Sequence, residues 1–79
     1  MSSDKQTPKI YANERDNTHF KRMNIYLMNR DDVTIDYKCI EYDKVVGKES
    51  VLVDWTNVTK ETAAIWWDHD IKSGCNRVE

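Results

Sequence analysis

The chain has 79 residues, 39% of them hydrophobic and 33% charged, and its twelve Lys and Arg against fourteen Asp and Glu give a formal charge of −2. That length suits one domain with a small core, because folding at this size buries only about 60% of the surface an unfolded chain exposes. Its Trp, Tyr, Phe, Val and Ile content argues against wholesale disorder. No apolar run approaches the roughly 20 residues of a spanning helix, and no signal-type apolar segment opens the sequence, so a cytoplasmic domain is expected.

Residues 1–18 are polar, contain the only proline, Pro8, and show neither a helical nor an alternating period. They read as a mobile N-terminal arm, with Ile10 and Tyr11 as its only docking candidates. From Phe20 the pattern alternates. In "RMNIYLMNRDDVTIDYKCIEY", Met23, Ile25 and Leu27 form one period-2 set. Val33, Ile35, Tyr37 and Cys39 form a second after the polar break "NRDD", which predicts a hairpin with a four-residue loop. Gly47 in "VVGKES" suits a turn needing positive φ, and Val51, Val53 and Trp55 then alternate as a third strand. The second strand is long enough to carry a bulge.

"TNVTKETAAIWWDHDIKSG" changes to a helical period. Thr59 is placed to cap the N-terminus, Glu61 to favour the positive end of the helix dipole, and Gly74 to follow the last turn. Ala63, Ala64, Trp67 and Ile71 fall on one side, the stripe a helix needs to lie on a sheet. The expected fold is α+β: a three-stranded antiparallel β-meander packed against one C-terminal α-helix, a β-β-β-α two-layer sandwich over residues 19–79.

The triplet Asp68, His69, Asp70 resembles a ligand set, but adjacent helix positions diverge by about 100° and cannot converge on one ion. It reads as a solvated helix end. His19, Cys39, His69 and Cys75 have zinc-ligand chemistry without zinc-site spacing. The two cysteines are expected to be free thiols, Cys39 buried. "NVT" at 57–59 matches a glycosylation acceptor, read as chance without a secretory signal. No metal, cofactor or catalytic group is expected, because a short chain with two glycines offers little concavity for a reaction.

If Met23, Ile25, Leu27, Val33, Ile35, Tyr37, Cys39, Val51, Val53 and Trp55 turn to the helix, the other sheet face carries Asn24, Tyr26, Met28, Thr34, Asp36, Lys38, Ile40, Tyr42, Leu52 and Asp54. Tyr26, Met28, Ile40, Tyr42 and Leu52 then form an amphipathic platform. Stacking of nucleic-acid bases on its tyrosines is disfavoured, since Lys38 is the only cation there. Residues 31–54 hold seven acids against three lysines, which favours a partner protein with a basic surface. The expected function is non-enzymatic protein binding. Tyr26, Tyr42 and Trp66 serve as anchors with Met28 and Ile40 beside them, while Asp31, Asp32, Asp36, Asp43 and Asp54 steer association. In size and composition the chain resembles the small inhibitors and host-takeover factors of phages and mobile elements, anti-CRISPR proteins among them. That resemblance implies occupation of a functional site on a larger host protein. The alternative is a homodimer closed by the second sheet face.

Overall fold

The computed structural model describes residues 9–78. They form β1 (Ile10–Asp16), β2 (Phe20–Met28), β3 (Thr34–Asp43), β4 (Lys48–Thr59), α1 (Lys60–Lys72) and β5 (Asn76–Val78). The strands make one antiparallel sheet in the order β4-β3-β2-β1-β5. The α+β class, the β2–β3–β4 meander and the C-terminal helix agree with the sequence pattern. The sheet has five strands rather than three.

β1 corrects the expected arm. Residues 10–16 pair with β2 along their whole length, from Ile10↔Leu27 to Asp16↔Lys21, while residues 1–8 lie outside the described residues. A side-chain turn closes this hairpin: Asn17 Oδ1 accepts from the backbone N–H of His19 and of Phe20, each at 2.9 Å. The strand lacks an apolar alternation because its helix-side residues, Tyr11, Asn13 and Arg15, are mostly polar.

The β2–β3 turn is organised by Asp31, whose carboxylate accepts from Val33 N at 2.9 Å and Thr34 N at 3.0 Å, while Asp32 takes φ 59°. Val33 therefore belongs to the turn and is 58% exposed, not the first residue of a strand. At the β3–β4 turn, Asp43 Oδ1 accepts from Val45 N and Val46 N, and Gly47 supplies the expected positive φ of 72°. The β3–β4 register shifts on both sides of Cys39, which pairs with Val53 while Ile40 pairs with Val51. Leu52 is thus the extra residue of a bulge.

α1 begins where expected. Thr59 is the N-cap and its hydroxyl accepts from Thr62 N at 3.3 Å. It ends at Ser73, followed by Gly74 at φ 110°. The helix joins β4 at one sheet edge to β5 at the other, so it crosses a single face. Beneath it Tyr26, Ile35 and Ala63 are buried, with Tyr11, Met28, Tyr37, Val58 and Trp67 packed around them. Burying a side chain such as Ile35 contributes roughly 1.5–3 kcal/mol. Trp67 sits edge-on to Tyr26 at 5.4 Å and to Tyr11 at 6.3 Å, which fixes the helix over β1 and β2.

The faces of β2 are the reverse of the sequence expectation. Tyr26 pairs with Tyr37, Asn24 with Cys39 and Met28 with Ile35, so Asn24, Tyr26 and Met28 share the helix side with Ile35, Tyr37 and Cys39. Met23, Ile25 and Leu27 point away from the helix, beside Lys38, Ile40 and Tyr42. Because side chains alternate strictly along a strand, a one-residue error in the facing pattern moves a whole strand's set to the other side. Trp55 is also on the far side, where Lys38 Nζ lies 5.4 Å from its ring centroid.

Candidate functional site

Three features of the helix and sheet carry chemistry: a polar cluster under the C-terminal half of α1, an apolar cleft beside its N-terminal half, and the sheet face that no helix covers.

The polar cluster is built on Asn13 and Asn24, which are 0% and 3% exposed and face each other across β1 and β2. Asn24 Nδ2 donates to Asn13 Oδ1 at 2.7 Å and approaches Cys75 Sγ at 3.9 Å, while Tyr37 Oη donates to Asn24 Oδ1 at 3.0 Å. Tyr26 Oη donates to Asp70 Oδ2 at 2.5 Å, and Asn13 Nδ2 donates to the same oxygen at 3.5 Å. This corrects the reading of Asp70 as part of a solvated end. It lies seven residues after Ala63 and three after Trp67, so it shares their inward face. Burial, together with Asp70, pushes the Tyr26 hydroxyl above its ordinary pKa, and burial raises Tyr37, Cys39 and Cys75 likewise. These groups are held protonated, the opposite of the lowering that makes a reactive thiolate. The arrangement suits a hydrogen-bonded inner layer that orients α1.

The cleft has a volume of 410 Å³ and is lined by Tyr11, Tyr26, Met28, Ile35, Lys60, Ala63, Ala64, Trp67 and Asp68. It exists because two alanines at the start of the helix leave room that a larger side chain would fill, while Trp67 props the next turn above Tyr11. Lys60, Ala64 and Asp68 recur every four residues along its helical wall. Lys60 Nζ is 3.4 Å from Asp32, and Lys72 Nζ is 2.9 Å from Asp68, so an ion pair stands at each end.

The uncovered face is apolar along its centre. Ile10 faces Leu27, Ala12 faces Ile25, Met23 faces Ile40, and Ile40 faces Val51. Ile10 is 63% exposed and Trp55 50%. Several of its charged groups have partners within the chain. Lys21 Nζ lies 3.2 Å from Glu14, Lys44 binds Asp16, and Asp36 Oδ1 accepts from Asn57 Nδ2 at 2.8 Å.

The anticipated binding residues therefore divide. Tyr26 is only 2% exposed and belongs to the core rather than to a platform. Met28 lies on the helix side and lines the cleft. Ile40 and Tyr42 are on the uncovered face as anticipated, half-buried and exposed respectively. Trp66 is 37% exposed and packs edge-on against Tyr37 at 5.2 Å, on the flank of α1 away from the cleft. Among the acids, Asp31 and Asp43 organise turns, Asp32 pairs with Lys60, and Asp36 is held by Asn57 and Asn29. Asp54 accepts from Trp55 N at 2.8 Å. They do not converge on one patch. Tyr11, Ala64 and Trp67 were missed as cleft residues. The adjacent alanines were the available signal, because small residues before a tryptophan on one helix side leave a hollow.

Among the described residues, no group of three His, Cys, Asp or Glu side chains is placed to hold a metal ion, and no helix is long and apolar enough to cross a membrane. The chain matches no family model, no curated protein and no solved structure.

Proposed function

We propose that the protein is a non-enzymatic protein-binding module that occupies a functional surface of a larger protein, and that the cleft beside α1 receives an apolar side chain of that partner. The observation that carries this reading is the cleft itself: 410 Å³ of largely apolar space between aromatic walls, open to solvent, with an ion pair at each end. Pockets of this size and lining hold an apolar anchor, and anchors seated in preformed pockets dominate the energy of protein contacts. Asp68 at the lip, with Asp31 and Asp32 in the nearby β2–β3 turn, supports a partner segment whose apolar anchor is flanked by Lys or Arg. The small size and acidic balance of the chain support use as an inhibitor of the kind phages and mobile elements make, where occupation is the activity.

Peptide selection tests this reading. Ala64 is exposed and lines the cleft, so Ala64→Trp fills the space without entering the core. A random peptide display library selected on the wild-type protein is expected to yield a bulky apolar residue flanked by basic ones. The selected peptides should bind Ala64→Trp at least about ten-fold more weakly, a loss near 1.4 kcal/mol. Equal affinity for both proteins, with circular dichroism showing both folded, rules the cleft out.

A further inference from the structure

We infer that the uncovered sheet face is the interface of a homodimer, with a second copy of this chain packed sheet against sheet. The placement of β2 carries the inference. β2 is the central strand, and it turns its polar and aromatic residues, Arg22, Asn24 and Tyr26, toward the helix while sending Met23, Ile25 and Leu27 the other way. In a sheet with one covered face the aliphatic set belongs on the covered side and the polar set on the wet side. Here β2 adds buried Asn24, carboxylate-bound Tyr26 and Met28 to the apolar core under the helix, while Met23, Ile25 and Leu27 face outward. A central strand patterned in this way requires a second apolar layer on its outer side.

The surface fits a copy of itself. Four strands about 4.8 Å apart and about seven residues long at ~3.3 Å each span roughly 400 Å² in projection, and side-chain relief brings the accessible area toward the ~800 Å² per partner of a standard interface. A strongly charged face would repel its own copy, whereas this one neutralises Lys21 with Glu14 and Lys44 with Asp16, and seats Lys38 over Trp55. Two such sheets pack about 10 Å apart with interdigitating side chains, as in sandwich folds. The occupant is a second copy rather than a different protein because the hydrophobic core of one chain is small. Buried apolar side chains are limited to Tyr26, Ile35, Cys39, Ala63 and Cys75 among the described residues. The dimer leaves both α1 helices, and the clefts beside them, on its two outer surfaces, so this inference stands whether or not the cleft binds a partner.

Sedimentation and thermal unfolding test it. At 50 µM the wild-type chain is expected to sediment at twice its 9.4 kDa mass, and its Tm should rise as concentration is raised a hundred-fold. Ile25→Lys, at the centre of the face, should weaken association at least about a hundred-fold, and Ile65→Lys on the outer side of α1 should leave the mass doubled. If Ile25→Lys fails to fold, Val51→Lys in β4 serves in its place, and the concentration dependence of the wild-type Tm decides by itself. A wild-type monomer with a constant Tm overturns the inference and leaves the face to another protein or to solvent. A dimer that Ile65→Lys dissociates and the sheet variants do not overturns it equally.

Discussion

Replacing Tyr26 by Phe removes one hydroxyl from the inner layer and leaves the ring against Trp67 at 5.4 Å and Tyr37 at 4.9 Å. The hydroxyl is the nearer of two donors to Asp70 Oδ2, at 2.5 Å; the remaining one, Asn13 Nδ2, is at 3.5 Å, the limit of a useful bond. A hydrogen bond to a charged group contributes about 1.5–3 kcal/mol, and Asp70 is half-buried, so solvent compensates only part of the loss. We expect about 2 kcal/mol of destabilisation. With a urea m-value near 1 kcal/mol/M for a chain of this size, the midpoint should fall by about 2 M. Tyr37→Phe removes a neutral bond to Asn24 and should cost about 1 kcal/mol. The assay is urea unfolding followed by circular dichroism at pH 7 and one fixed protein concentration, with Asp70→Asn and the double variant completing a cycle. A coupling of about 1–2 kcal/mol between positions 26 and 70 is expected. A Tyr26→Phe midpoint equal to wild type, or a coupling near zero, refutes a structural role for this bond.

Other consequences follow from single residues. Backbone N–H groups of Val33 and then Thr34 hold the Asp31 carboxyl below its ordinary range, so its NMR titration should fall below that of an unstructured Asp. Because the folded value is the lower one, the turn's stabilisation is present above the unfolded pKa and is lost as pH falls through the folded one; a titration at or above that of an unstructured Asp contradicts this. Cys39 and Cys75 are buried free thiols with pKa values raised by burial, so Ellman's reagent at pH 8 should react slowly with both until the chain is unfolded. An immediate reaction of either thiol with the folded protein is the opposing result. Gly47→Ala places a Cβ at φ 72°, 3.6 Å from Tyr42 Oη, an ordinary contact, so the cost is backbone strain of about 1 kcal/mol, read as a lower urea midpoint. No change would mean that the β3–β4 turn adopts another conformation.

The bounds of the helix were legible: Thr59, Glu61 and Gly74 occupy the places their chemistry favours, and Ala63 and Trp67 face the sheet, whereas Ala64 and Ile71 are exposed and Asp70 turns inward instead. Both later turns were legible, one through the polar break "NRDD" and one through Gly47, but the part Asp31 plays in holding the first was not read. β1 was hidden because the helix-side positions of the strand hold Tyr11, the buried Asn13 of the polar layer and the exposed Arg15, which break the apolar alternation by which strands are recognised. The face of β2 was misread for a related reason. Hydrophobicity placed Met23, Ile25 and Leu27 inside with Ile35, Tyr37 and Cys39, yet the hairpin pairs even-numbered residues of β2 with odd-numbered residues of β3. The two apolar sets therefore lie on opposite sides. Pairing parity follows from loop length, and even the predicted four-residue loop required the same opposition. Where pattern and parity disagree, two buried faces resolve the conflict: one under the helix, and one proposed to lie under a second copy. Of the anticipated platform, Ile40 and Tyr42 remain on the open face, Met28 passes to the cleft, and Tyr26 becomes the centre of the core.

Everything about which surface is available depends on the orientation of β2. Nuclear Overhauser contacts from the Trp67 indole in isotope-labelled protein measure it most directly. Strong contacts are expected from that indole to the rings of Tyr26 and Tyr11, and none to the methyl groups of Ile25 or Leu27. Contacts to Ile25 and Leu27, with the Tyr26 ring distant, would turn β2 over and contradict both the cleft and the dimer face.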